Sequence, residues 1–183
     1  MDTAYLHIIT NHIPIIGLPF ALAVLALGFW RKSDDLSSVA FLAFTLLGAA
    51  AIVVYLTGQG GEDFVEHVAG VNEDAIDAHE EFAKFALGAI LLTAAVSAFA
   101  FFRYGGYKIL FRDAAARSYP TWAAISVIVL GIVSAGMAGY TGKLGGKIRH
   151  TEFYGTAGAD TGNGDEEGGD ERGRNRRGRD QRD

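Results

Sequence analysis

The chemistry this sequence offers is concentrated in five histidines: His7, His12, His67, His79 and His150. Imidazole nitrogens ligate haem iron and also Zn, Cu and non-haem Fe ions. With no cysteine in the chain, thiolate metal sites, iron–sulfur clusters, disulfides and covalent haem attachment are excluded. His12 and His79 stand one and three residues before long apolar runs, whereas His67 and His150 follow such runs by ten and nine residues. The spacing makes His12 and His79 the expected axial pair. His67 and His150 form a second pair, or alternative partners, and His7 is left spare.

Carboxylates crowd the same stretch. Asp63 and His67 are four apart, as are Glu62 and Glu66, while Glu80 and Glu81 follow His79. On a helix these pairs share a face and can chelate a cation, so a Zn, Cu or Fe site on the four histidines with Asp63, Glu66 and Glu80 is the alternative. The Glu-x-x-His pair of di-iron bundles is absent, because Ile76 and Phe64 occupy the positions three before His79 and His67. Gly58-Gln59-Gly60-Gly61 and Gly142 to Lys147 lack the Lys-Ser/Thr ending of a phosphate loop, and no Ser/His/Asp order suggests a hydrolase. An electron-transfer protein or redox subunit is expected rather than a stand-alone enzyme.

Four apolar runs must position these groups: Ile13 to Trp30, Val39 to Thr57, Phe82 to Phe102 and Trp122 to Thr141, of 18, 19, 21 and 20 residues. About 20 apolar residues at 1.5 Å each cover a hydrocarbon core of roughly 30 Å, and Lys84 is the one charge inside any run. The expected fold is all-α, a four-helix transmembrane bundle of two hairpins with helices at about 13–30, 39–57, 82–102 and 122–141. A soluble α/β enzyme is excluded. Residues 1–154 form this domain. Residues 155–183, rich in Gly, Asp, Glu, Asn and Arg, are expected to be a disordered tail, and its matched acids and bases argue against nucleic-acid binding. Pro19 is expected to kink the first helix below His12, and Gly60-Gly61 and Gly145-Gly146 to bend the chain.

Loop charge gives an orientation. Arg31 and Lys32 lie in the first loop and Arg103, Lys108, Arg112 and Arg117 in the third, whereas the middle loop carries acids and no Lys or Arg. The positive-inside rule then places both chain termini outside a plasma (inner) membrane, with the first helix retained because no Lys or Arg precedes Arg31. All five histidines fall on that outer side.

The halves also repeat. Tyr55-Leu56-Thr57-Gly58 with Gly60-Gly61 matches Tyr140-Thr141-Gly142 with Gly145-Gly146, and Phe20-Ala21-Leu22-Ala23 matches Phe85-Ala86-Leu87-Gly88. Two copies in the same orientation imply a pseudo-twofold axis along the membrane normal. Helix four carries Gly131, Ala135, Gly136, Ala138, Gly139 and Gly142, small enough for close approach of a helix or a porphyrin.

These features resemble a family of small bacterial four-helix membrane proteins of unassigned function, some regarded as haem-binding or cytochrome b-like. The resemblance covers residues 5 to 155. It rests on Asn11-His12-Ile13-Pro14, Pro19-Phe20-Ala21-Leu22, the Thr57-Gly58 exit of helix two, His79, and Gly139 to Gly146. The family pattern has a His-Pro pair where Ile13 here separates His12 from Pro14, and the tail has no counterpart. The resemblance implies four helices and a haem, and does not settle a reaction. From the paired histidines the expected function is a b-type haem electron carrier with one or two haems, working between a membrane donor such as quinol and an external redox protein. Zn, Cu or Fe binding, or a cofactor-free subunit of a homo-oligomer or larger complex, are the alternatives.

Overall fold

The computed structural model describes residues 3–65, 73–111 and 119–149. They form α1 (Thr3–Thr10), α2 (His12–Arg31), α3 (Asp34–Val65), α4 (Glu73–Arg103) and α5 (Thr121–Arg149), with a short 3-10 helix at Gly106–Phe111 before α5. Among the described residues there is no strand, so the all-α four-helix architecture holds. Each of α2 to α5 packs on two others in the cyclic order α2, α3, α4, α5, and α1 lies along the end of α3.

Four stretches are long and apolar enough to cross a membrane: Thr3–Arg31, Asp34–Gly61, Asp74–Arg103 and Thr121–Ile148. Side-chain placement agrees with a lipid surround. Trp30 is 80% exposed and Phe20 70%, whereas the hydroxyls of Ser38, Thr93, Ser97 and Ser134 belong to residues with no exposure at all. A water-soluble bundle has the opposite distribution; in lipid the apolar groups face out and buried hydroxyls bond within or between helices, although Ser97 Oγ has no partner among the described residues. Thr45, Thr57, Thr93 and Ser38 each donate to the carbonyl four residues earlier, and Thr93 Oγ1 lies 2.8 Å from Ser134 Oγ, linking α4 to α5.

The helix ends follow from local chemistry. Lys32 takes the left-handed conformation at the end of α2, with φ of 52°, and Ser33 N–H returns to Gly28 O at 2.9 Å. Ser33 Oγ then accepts from Leu36 N, and Asp34 and Asp35 in the first turn of α3 suit the positive end of its dipole. The far end of the bundle is closed by aromatic side chains. Tyr119 packs on Phe41 at 4.8 Å and bonds Ser38 Oγ through its hydroxyl at 2.8 Å.

One expectation is corrected. The glycine pairs do not bend the chain: Gly60-Gly61 is helical within α3 and Gly145-Gly146 within α5. A glycine costs a helix about 1 kcal/mol relative to alanine, and here tertiary packing outweighs that cost, since a Cβ on Gly61 would stand 2.9 Å from Ala4 Cα. The helices are accordingly longer than the apolar runs. Pro19, where a kink is expected, lies inside α2, and the division between α1 and α2 falls at Asn11. Pro14 accounts for this position, because it has no N–H for the Thr10 carbonyl and its ring crowds that group.

Candidate functional site

α1, the end of α3, the start of α4 and the end of α5 meet at one end of the bundle, opposite the turns that carry Arg31, Lys32 and Arg103. Two half-buried imidazoles meet there, and they are His7 and His79. Their ring centroids are 6.4 Å apart and their planes are 85° apart.

Each ring is held in the same way by the second helix of its own hairpin. His7 Nδ1 lies 2.9 Å from Val54 O, and His79 Nδ1 lies 3.0 Å from Thr141 O. A carbonyl only accepts, so Nδ1 of each ring carries the proton and donates it, and the lone pair of a neutral ring is left on Nε2. Four residues beyond each acceptor is a glycine against the ring: a Cβ on Gly58 would lie 3.0 Å from His7 Cε1, and one on Gly145 3.2 Å from His79 Cε1. One helical turn thus supplies both the acceptor and the space beside it.

This shared cradle fixes the true register of the repeat. His7 and His79 are 72 positions apart, and the same step carries Pro14, Leu18, Ala21, Leu25 and Gly28 of α2 onto Ala86, Ile90, Thr93, Ser97 and Ala100 of α4. All ten are buried. Val54 and Thr141 are 87 apart, as are Gly58 and Gly145, and that step carries Ser37, Ala40, Phe44, Leu47, Ala51 and Thr57 onto Ala124, Val127, Gly131, Ser134, Ala138 and Leu144. These twelve are buried as well. Matched positions also meet across the axis, for a Cβ on Gly131 would lie 3.1 Å from Phe44 Cζ.

The pairing of His79 therefore differs from the expected one. His12 is exposed, and its Nδ1 bonds Ile8 O at 3.1 Å, so it ties the start of α2 back to α1. The supposed spare, His7, is the residue facing His79. Depth measured from the apolar run set His12 level with His79, whereas the span begins at Thr3 and its first three turns contain Thr10 and Asn11. His67 and His150 lie outside the described residues, as do the side chains of Asp63 and Glu66. Glu80, also expected near the site, pairs with Lys84 at 3.2 Å. Among the described residues no three ligating side chains of the His, Asp or Glu type come together.

Fold and site define the class: a multi-pass four-helix membrane bundle of two structurally repeated hairpins, with one imidazole from each at the axis. No family model, curated protein or solved structure matches the chain.

Proposed function

We propose that this chain is a membrane haem protein of b type, holding iron between His7 and His79 and passing electrons between a membrane quinol and an external redox protein. The observation that carries the reading is the pair of imidazoles, each held through Nδ1 by a backbone carbonyl. A ligating histidine ordinarily has its other nitrogen bonded in this manner, which fixes tautomer and ring orientation. The two rings, 6.4 Å apart between centroids, would each offer an Nε2 nitrogen to a haem iron, which would supply the one-electron chemistry.

The donor set favours haem over a bare ion. Structural zinc takes four protein ligands and catalytic zinc three, whereas haem brings four nitrogens and needs one or two axial residues. The protein supplies His7 and His79 as ligands, Val54 and Thr141 carbonyls to orient them, and Gly58 and Gly145 to admit the rings. His12 is not part of this pair. A second haem, if bound, draws on His67 and His150. The Arg and Lys in the loops at the opposite end favour an orientation with the haem end and both termini outside the plasma membrane, and Lys143, Lys147 and Arg149 at the end of α5 count against it.

Protein purified from its native host and reduced with dithionite is expected to show the split absorption bands of bis-histidine haem, lost in His79→Ala and kept in His12→Ala. Elemental analysis decides the rest. Zinc or copper without porphyrin makes the site a metal-binding centre, and neither metal nor porphyrin makes the chain a scaffold subunit; both results overturn the haem reading.

A further inference from the structure

The hairpins hold their histidines alike, yet the helices that carry the histidines differ. His79 lies in α4, which runs unbroken from Glu73 to Arg103. His7 lies in α1, an eight-residue helix separated from α2 at Asn11. The register places Pro14 where α4 has Ala86, so the hydrogen bond that would tie Thr10 to the next turn exists in α4 and is chemically impossible in the first span. The junction is bridged by the Asn11 N–H donating to His7 O at 2.9 Å and by His12 Nδ1 bonding Ile8 O at 3.1 Å, but not by the Asn11 side chain. That side chain makes no cap hydrogen bond to α2, and its Oδ1 is buried with no partner among the described residues.

Side-chain anchorage differs in the same direction. No residue of α1 is buried, whereas the matching turns of α4 bury Ile76, the counterpart of Ala4. The α1 helix is seated on α3 by Thr3 Oγ1 donating to Gly60 O, by the bond from His7 to Val54 O, and by contact with the glycine face of Gly58, Gly60 and Gly61. Glycine offers a close seat but no side chain to interlock with. Such a segment opens locally at lower free energy than the interior of a long packed helix.

We infer that the two imidazoles are unequal ligands: His79 is the fixed one, and His7, carried on α1 as a hinged arm, is the exchangeable one, whose departure opens a coordination position to a small exogenous ligand. This rests on the haem reading above for the ligand and on the α1 junction alone for the arm. The chemistry is a ligand exchange with no change of oxidation state. The His7 nitrogen leaves, a small neutral or anionic donor takes its place, and the displaced ring remains neutral with its Nδ1 proton.

The chain has no cysteine, so a designed disulfide can lock the arm cleanly. Built on Gly60, a Cβ would lie 3.4 Å from Thr3 Cβ, close to the 3.5–4.5 Å range of disulfides. In the full-length reduced protein, carbon monoxide is the probe. Unlocked protein is expected to bind it, and Thr3→Cys/Gly60→Cys protein to bind it at least tenfold more slowly until dithiothreitol opens the lock. Equal rates overturn the inference and leave the haem reading standing; absence of haem from unlocked protein overturns both. Hydrogen exchange on the unsubstituted chain tests the arm without any cofactor. Amides of Leu6 to Thr10 are expected to exchange at least tenfold faster than those of Ala78 to Phe82, and equal protection overturns the arm.

Discussion

Gly145→Ala isolates the cradle of His79 from the stability of the bundle. The new Cβ would lie 3.2 Å from His79 Cε1 and 3.4 Å from Nδ1, closer than ordinary van der Waals contact, so the ring must retreat by a few tenths of an ångström. Its bond to Thr141 O, 3.0 Å long, then stretches past good geometry. Losing that bond costs about 0.5–1.5 kcal/mol. Replacing a mid-helix glycine by alanine returns about 1 kcal/mol. The two nearly cancel, so the thermal midpoint should move by no more than about 4 °C, while the ring loses its fixed orientation. Nitrogen NMR of the imidazole in detergent micelles reads the second effect directly: the slowly exchanging Nδ1–H of His79 should disappear although the midpoint hardly changes. A retained Nδ1–H signal would refute the account of Gly145 as the residue that admits the ring. A loss of more than about 3 kcal/mol would refute it from the other side, because it would mean that the glycine serves helix packing beyond the histidine.

Further substitutions test the packing and topology. A Cβ on Gly48 would overlap Ala94 Cβ, so Gly48→Ala should destabilise the α3–α4 contact by about 1–3 kcal/mol, and adding Ala94→Gly should restore most of it in a thermal melt. Thr93→Val removes the buried partner of Ser134 and should cost about 0.6–1.7 kcal/mol in denaturation from micelles, whereas Ala21→Val, at the matched position of the other hairpin, breaks no hydrogen bond. Cysteines at Ser33 and Glu73 should react with an impermeant maleimide from opposite faces of oriented vesicles; labelling from one face would contradict an odd number of crossings between them.

The sequence alone determined the helices, because their signals are local. A run of about 20 apolar residues is recognisable without knowing what it packs against, and the short charged turns between runs mark their ends. It also singled out imidazoles as the candidate ligating groups at this end, since cysteine is absent and His79 stands at the head of its run. What it left undecided was phase. Matching Phe20-Ala21-Leu22-Ala23 to Phe85-Ala86-Leu87-Gly88 sets the first helices 65 apart, whereas the packed register is 72. The difference is seven residues, two helical turns, which brings the same face to the same side and leaves amphipathic pattern nearly unchanged. Matching Thr57 to Thr141 likewise falls three residues, about one turn, short of the packed register of 87. Only tertiary packing chooses between such phases, through steric fits such as Gly131 beneath Phe44 and Gly58 beside His7. The matched core positions share burial rather than residue type, Leu25 with Ser97 or Phe44 with Gly131, so no string comparison could have aligned them. The choice of His7 over His12 as the partner of His79 follows from that phase: the two differ by five residues in sequence, and the structure turns one toward the axis and leaves the other exposed.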